Sequence, residues 1–290
     1  MENTPHVFVD KVCVLVDLPH MNLVFGRYTG LRTHNNRFQH RYRWINVTNG
    51  KVGVCSHFRR SIFVEYNPST LEFGHNIFPY ADSLLESVPP IVSAAIRKTP
   101  GLDLARRHSI LLRGGHSRLS EIHLAADYLF PTDSAMTSFM RNLRRSWNWR
   151  RHRKGDDKKD RYDTSRYIAQ TTWTFIAYDK GAEVEQDSNR TLWVKMRARK
   201  TFRFEIRIQR RDLRKLGHRL QQYYPGLGLL DLSHTYDWQP HIYTLVYDFY
   251  MARIRSIHRH AREDAEAVPL YRFLAKHGAV PVNLRTTSCE

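Results

Sequence analysis

The sequence is poor in cysteine and contains no long apolar run. Its three cysteines, Cys13, Cys55 and Cys289, are odd in number and far apart, so they predict neither a zinc site nor a disulfide framework. No apolar stretch approaches the roughly 18 residues that a membrane-spanning helix needs, and the first residues lack the pattern of a signal peptide. We therefore expect a protein of a reducing compartment, with no membrane partner.

Acidic residues are also scarce. The chain has 28 Asp and Glu against 46 Lys and Arg, which gives a net charge of +18. Such an excess favours a polyanionic partner, with nucleic acid ahead of an anionic membrane surface. The hydrophobic fraction of 41% indicates a globular chain, and 290 residues suffice for one large domain or two small ones.

Hydrophobic patterning predicts both strands and helices. The predicted strands cover residues 7–18, 41–46, 61–66, 119–128, 171–180, 193–198 and 202–208. The predicted helices cover residues 83–98, 212–220 and 241–262, and one more begins at residues 132–134 and runs into the basic segment 141–161. This order predicts an α+β fold, with a mostly antiparallel sheet and helices packed on one of its faces.

The basic segment 141–161 holds ten Lys and Arg among 21 residues, with two tryptophans between them. Cationic side chains neutralise phosphates, and aromatic rings stack on unpaired bases. The alternative is a solvated helix and loop surface with one tryptophan in the core. If the segment binds DNA, the predicted contacts are Arg144, Arg145, Trp149, Arg150, Arg151 and Arg153.

Polar side chains occupy one face of the predicted strand 119–128. Glu121, His123 and Asp127 alternate with apolar residues, so they point the same way. Carboxylates and imidazole bind divalent cations, and one or two further ligands could come from elsewhere in the chain. The alternative is a surface strand whose polar residues face water.

The predicted strand 202–208 places Glu205 between Arg203 and Arg207 on one face. This arrangement fits a carboxylate in a phosphate-binding environment, and it equally fits a cross-strand ion network. His75 follows Gly74 at a tight turn, where it is either a presented ligand or a structural histidine.

Tyr178 and Lys180 lie two positions apart at the end of a predicted strand, so we expect both on the same face. A tyrosine hydroxyl with a pKa near 10 is a weak nucleophile unless a cation stabilises its anion. A neighbouring lysine provides such a cation. The alternative is a tyrosine on an edge strand beside a solubilising lysine.

Four of these segments occur in an order that resembles a known family. They are Gly74–Phe78 (GHNIF), Leu119–Asp127 (LSEIHLAAD), Thr174–Lys180 (TFIAYDK) and Arg203–Gly217 (RFEIRIQRRDLRKLG). The order is similar to that of the filamentous bacteriophage replication initiators, the gene II protein family, and more distantly to plasmid rolling-circle initiators. The resemblance covers roughly residues 61–217.

The resemblance implies a metal-dependent, site-specific endonuclease that nicks one DNA strand. The family's nucleophile is the tyrosine of a Tyr-x-Lys motif, which corresponds to Tyr178, with Lys180 beside it. Its products would be a 5′-phosphotyrosyl link and a 3′-hydroxyl that primes rolling-circle synthesis. The expected cofactor is Mg²⁺ or Mn²⁺, with ligands drawn from His75, His123, Asp127 and Glu205, and Arg203 and Arg207 would contact DNA.

One strand departs from the family pattern. Where the phage proteins have Arg and Asp, this chain has Glu121 and His123, whereas Asp127 matches the plasmid initiators. Either His123 or Asp127 could therefore be the ligand on this strand.

The resemblance also implies a sheet related to rolling-circle nickase domains. We expect residues 1–220 to form the catalytic nickase domain and residues 221–290 a helical C-terminal extension. Expected partners are origin DNA, both double-stranded and as the displaced single strand, together with a host helicase and a host polymerase in the bacterial cytoplasm. The alternative function is a non-catalytic phage protein that binds DNA or RNA through its basic surface.

Overall fold

The computed structural model describes less than half of the chain. The described residues are 7–17, 33–35, 41–47, 50–55, 61–77, 91, 94, 117–146, 165–169, 173–209, 213, 274 and 276–282. The predicted helix 241–262 and the basic segment 147–161 lie outside these ranges. Only residues 91 and 94 of the predicted helix 83–98, and residue 213 of the predicted helix 212–220, fall within them, and all three are helical.

The described strands form one ten-stranded sheet. They are β1 (Phe8–Asp17), β2 (Thr33–Asn35), β3 (Arg41–Val47), β4 (Gly50–Cys55), β5 (Ser61–Tyr66), β6 (Ser117–Leu129), β7 (Ser165–Ala169), β8 (Trp173–Asp179), β9 (Thr201–Gln209) and β10 (Val280–Pro281). The strand order is β2-β3-β4-β5-β1-β6-β9-β8-β7, with β10 paired to β6. Every described strand pair is antiparallel, so the predicted α+β fold is confirmed.

Four helices are described: α1 (Pro68–Phe73), α2 (Asp133–Ser146), α3 (Lys180–Glu185) and α4 (Leu192–Ala198). Helix α2 begins as predicted, because the Thr132 hydroxyl accepts a hydrogen bond from the Ala135 amide at 3.1 Å. Its apolar stripe packs on the sheet. The Phe139 ring lies 5.2 Å from that of Phe202 and 6.4 Å from that of Phe204.

Side chains of β9 alternate between an apolar and a polar face of the sheet. Phe204 and Ile206 are buried on the side that α2 covers, while Arg203 and Glu205 point to the opposite side. The backbone segment 74–77 approaches that opposite side, since the Asn76 carbonyl accepts a hydrogen bond from Arg203 at 2.9 Å. The segment 74–77 therefore covers the polar face of the sheet around Arg203.

Two predictions about local structure are wrong. Residues 193–198 form most of helix α4 instead of a strand. Thr191 caps this helix by accepting from the Val194 amide, and Val194 and Ala198, four residues apart, are its buried positions. Apolar residues at every second position favour a strand, but burial follows the helical spacing.

Lys180 is not part of a strand either. Strand β8 ends at Asp179, whose side chain caps α3 by accepting from the Ala182 amide at 3.0 Å. Lys180 is consequently the first residue of α3. Tyr178 remains within β8, so the two side chains approach each other across a strand–helix junction.

Candidate functional site

Three adjacent strands bring the predicted residues together. Strand β9 lies between β6 and β8. His123 of β6 pairs with Arg207 of β9, and Tyr178 of β8 pairs with Arg203. Directly paired residues point to the same face of a sheet. The predicted convergence of His123, Glu205 and Tyr178 on one sheet face is therefore confirmed.

The neighbouring strand β1 adds Asp10, which the sequence patterns do not predict. Val9 pairs with Leu124 and Lys11 with His123, so Asp10 is an extra residue at a β-bulge. A bulge redirects a side chain relative to the regular alternation. At this bulge the carboxylate of Asp10 lies on the polar face of the sheet, where it is buried.

Asp10, His123 and Glu205 form a group that fits a divalent cation. One ligand atom from each residue lies within 4.8 Å of the other two, and all three residues are buried. Two carboxylates and an imidazole suit Mn²⁺, and carboxylates also suit Mg²⁺. The three residues line a cavity of about 420 Å³, together with Tyr178 and Arg207.

Hydrogen bonds fix the imidazole of His123. Its Nε2 lies 2.6 Å from Oε1 of Glu121, and its Nδ1 lies 2.7 Å from Oε1 of Glu205. Burial by itself lowers the pKa of His123, but the two carboxylates outweigh burial and raise the pKa above its ordinary value. For Glu205, burial raises the pKa, whereas Arg207 and His123 together bring it well below the ordinary value. Glu205 is therefore an anion at neutral pH.

Tyr178 points its hydroxyl towards this group. The hydroxyl donates to Oε2 of Glu205 at 3.5 Å, a long hydrogen bond. Burial raises the pKa of Tyr178 well above its ordinary value, although the nearby Arg203 opposes that effect. The phenol is thus neutral at physiological pH.

Lys180 lies beside the tyrosine ring, with its ammonium 5.8 Å from the ring centroid. The ammonium is almost fully buried and forms an ion pair with Glu183. Burial is the main reason that the pKa of Lys180 is lowered, and Arg203 lowers it further. Tyr178 and Lys180 are therefore neighbours, as the Tyr-x-Lys pattern predicts.

Arg203 lies in the interior of the protein, with none of its side chain exposed. Its guanidinium binds both carboxylate oxygens of Asp127, at 2.6 and 2.7 Å, and Oδ1 of Asp10 at 2.5 Å. This location does not suit the DNA contact predicted for Arg203. Asp127 faces Arg203 and lies outside the group of three metal-capable residues.

The other predicted residues are distributed as follows. Arg207 is partly exposed at the cavity and donates to Oε1 of Glu205 at 2.8 Å. His75 is buried between the rings of Phe73 and Trp193 and does not line the cavity. Arg144 and Arg145 belong to the last turns of α2, while Trp149, Arg150, Arg151 and Arg153 lie outside the described residues.

The overlooked ligand candidate, Asp10, does carry a signal in the sequence. It is a single carboxylate inside the apolar stretch VFVDKVCVLV. Burying a charge without a partner is costly, so a charged residue in a buried strand implies a compensating cation nearby.

The family model for the N-terminal part of the phage replication-associated protein, the gene II product, matches residues 30–237. The match spans more than half of the chain, which therefore belongs to the filamentous phage gene II initiator family. It includes His123, Tyr178 and Glu205, whereas Asp10 precedes it. Membership supports a role in initiating phage DNA replication.

A search of curated proteins gives no match. Among the described helices, none has the length and apolar character needed to cross a membrane.

Proposed function

We propose that this protein starts rolling-circle replication by nicking one strand of the phage origin, with Tyr178 as the nucleophile. The observation that carries the proposal is the convergence of the Tyr178 hydroxyl with Glu205, His123 and Asp10 at one cavity. A nucleophile next to a metal-capable group is the arrangement that phosphodiester cleavage requires.

The reaction is a transesterification. The Tyr178 oxygen forms a bond to phosphorus, and the bond between phosphorus and the 3′-oxygen breaks. The phenol proton passes to Glu205, which already accepts its hydrogen bond, and a solvent water gives a proton to the departing 3′-oxygen. The products are a 5′-phosphotyrosyl link and a free 3′-hydroxyl, which primes synthesis.

Asp10, His123 and Glu205 would hold Mg²⁺ or Mn²⁺ at this cavity. When bound, the cation polarises the phosphodiester and neutralises charge that develops on its oxygens. The chain itself orients the ligands, since Glu121 fixes the imidazole and Arg203 fixes Asp10. Asp127 acts through Arg203, and His75 is a structural residue in this proposal.

Lys180 stabilises negative charge on the tyrosine oxygen as the phenol ionises. Its ammonium is close to the ring and is held in place by Glu183. Because the charge is buried, its influence on a nearby phenolate is stronger than it would be in water.

Origin DNA approaches a chain with a net charge of +18. Arg207 lies at the cavity, where it can meet the scissile phosphate. The basic segment with Arg144, Arg145, Trp149, Arg150, Arg151 and Arg153 would hold the flanking DNA. A host helicase and a host polymerase, in the bacterial cytoplasm, would act on the nicked product.

The test is incubation of the purified protein with supercoiled phage DNA and Mn²⁺ or Mg²⁺. We expect a nicked circle that carries protein after denaturation and that releases it on protease treatment. A nicked circle without attached protein would contradict the tyrosine mechanism. If the protein binds this DNA but leaves it supercoiled with both metals, the alternative of a non-catalytic binding protein is correct.

A further inference from the structure

Helix α4 exposes a set of large apolar side chains. Leu192 is 72% exposed, Met196 60% and Trp193 49%. These positions are spaced so that they form one continuous surface on the helix. Phe73, at the end of α1, is 44% exposed.

His75 connects the two exposed aromatic residues. Its ring centroid lies 6.1 Å from that of Phe73, with the planes 23° apart, and 5.7 Å from that of Trp193. Phe73, His75 and Trp193 therefore form an aromatic row with a half-exposed ring at each end. We call this row, with Leu192 and Met196, the aromatic platform.

Two guanidinium groups lie beside the aromatic platform, and one of them, that of Arg190, also pairs with Asp187 at 3.0 Å. The guanidinium of Arg197 lies 5.8 Å from the centroid of the Trp193 ring, and Arg190 donates to the Gly74 carbonyl at 2.5 Å. Residues 190–200 contain five Lys and Arg and no acidic residue. A protein partner of this surface would have to be strongly acidic as well as apolar, whereas nucleic acid offers both anionic and stacking groups.

The aromatic platform is fixed next to the candidate active site. Ile77, Val184, Val194 and Ala198 form one buried cluster, which joins the segment 74–77 to α3 and α4. Helix α3 starts with Lys180, two residues after Tyr178. Bases bound to the platform would thus lie against helix α4 and the end of α1, which are packed together with the helix that follows Tyr178.

We propose that the aromatic platform binds unpaired bases of single-stranded DNA, with Trp193 and Phe73 as stacking surfaces. The inference builds on the proposed function, because it names the part of the protein that holds the single strand at the nick. Arg197 and its neighbouring cations contact the phosphates between the stacked bases.

The experiment measures fluorescence anisotropy of a labelled 12-mer of thymidine and of a 12-mer with abasic sites at every position. Trp193→Ala should weaken binding to the thymidine 12-mer by roughly 5- to 100-fold, the effect of losing one stacked base. Trp193→Phe should restore much of that affinity. Leu129→Ala is the matched control, since Leu129 is an apolar residue of similar exposure on β6.

Binding to the abasic 12-mer should be the same for the parent and Trp193→Ala, because no base is present to stack. Arg197→Gln should weaken both oligonucleotides and lower the salt dependence of log affinity by about 0.7. An unchanged affinity of Trp193→Ala for the thymidine 12-mer would overturn the proposal. So would a Trp193-dependent dimer of the parent in sedimentation, which would show that the platform binds a second copy of the chain.

The same preparations separate this inference from the proposed function. If Trp193→Ala loses affinity for the thymidine 12-mer while the parent fails to nick supercoiled DNA, the platform stands and the nicking proposal fails. If the parent nicks and forms the adduct but Trp193→Ala binds the 12-mer normally, only the platform is refuted.

Discussion

Arg203 of β9 holds Asp127 of β6 through two parallel hydrogen bonds, at 2.6 and 2.7 Å, and both side chains are buried. The same guanidinium binds Asp10, so one buried cation joins three strands of the sheet. Each partner compensates the burial cost of the others, because an unpaired charge in this place would be strongly unfavourable.

Arg203→Met should therefore reduce the free energy of unfolding by about 3–5 kcal/mol, since it leaves two carboxylates buried without their cation. Urea denaturation measures this quantity. Lys195→Gln on helix α4 is the control, and it should change stability by no more than about 0.5 kcal/mol. Adding Asp127→Leu to Arg203→Met should recover part of the loss. A cost below about 1 kcal/mol for Arg203→Met would show that the network does not stabilise the sheet.

Asp10→Asn should lower Mn²⁺ affinity by about tenfold or more, because it removes an anionic ligand from the group of three. His75→Gln should leave Mn²⁺ affinity unchanged, since His75 packs between two aromatic rings instead of facing the cavity. Isothermal titration calorimetry of the folded variants measures both. The reverse result, with His75 needed and Asp10 dispensable, would move the metal site to the segment 74–77.

Tyr178→Phe should fold and bind origin DNA like the parent but form no covalent adduct. Phenylalanine keeps the ring and its packing while it removes the attacking oxygen. Denaturing electrophoresis of labelled origin DNA reveals the adduct, and peptide mapping of the parent adduct identifies the linked residue. Tyr162 and Tyr167 are the competing tyrosines nearest in sequence. A link to either of them would disprove the role of Tyr178.

Tyr66→Phe should stabilise the protein by about 1 kcal/mol, because removing a buried hydroxyl that lacks a partner relieves its desolvation cost. Within the described part of the chain, the buried Tyr66 hydroxyl has no hydrogen-bond partner. Burial, assisted by Cys13, raises the pKa of Tyr66 above its ordinary value.

The raised pKa of Tyr66 also sets a pH dependence. The folded state keeps the Tyr66 phenol protonated, while the unfolded chain ionises near pH 10. The free energy of unfolding of the parent therefore falls as the pH rises above about 10. The advantage of Tyr66→Phe over the parent should therefore grow between about pH 8 and about pH 10.5 in urea denaturation. An advantage that shrinks over this range would mean that the Tyr66 hydroxyl is not buried in the folded state.

Most of the described strands could be predicted because their signal is local. Strands β1, β3, β5, β6, β8 and β9, six of the ten, coincide closely with β-branched, aromatic or alternating segments. Helix α4 was predicted wrongly because Trp193, Met196 and Leu192 are apolar but exposed, which hides the helical periodicity of its buried side. The domain boundary at residue 220 stays a prediction, and β10 shows that Val280 and Pro281 join the sheet at β6.

The site could be predicted where one strand face carries several polar groups. His123, Glu205 and Tyr178 came together because β6, β9 and β8 are neighbours. The choice between His123 and Asp127 could not be made from the sequence, since both lie on the same face of β6. In the folded sheet Arg203 binds both carboxylate oxygens of Asp127, so we expect His123 rather than Asp127 to be the ligand. The Asp10 bulge depends on a register that only the folded sheet defines.

The wide separation of these residues along the chain affects how the protein is made. Asp10 and Arg203 lie 193 positions apart, and Glu205 follows two residues later. At about 5–20 residues per second, a ribosome takes about 10–40 seconds to pass from one end of the site to the other. Until β9 has emerged, β6 has no partner on one side and Asp10 has no cation. Under the proposed function, a nascent or prematurely terminated chain would therefore carry many of the basic residues but an incomplete site, so nicking would begin only with chains that extend past Glu205.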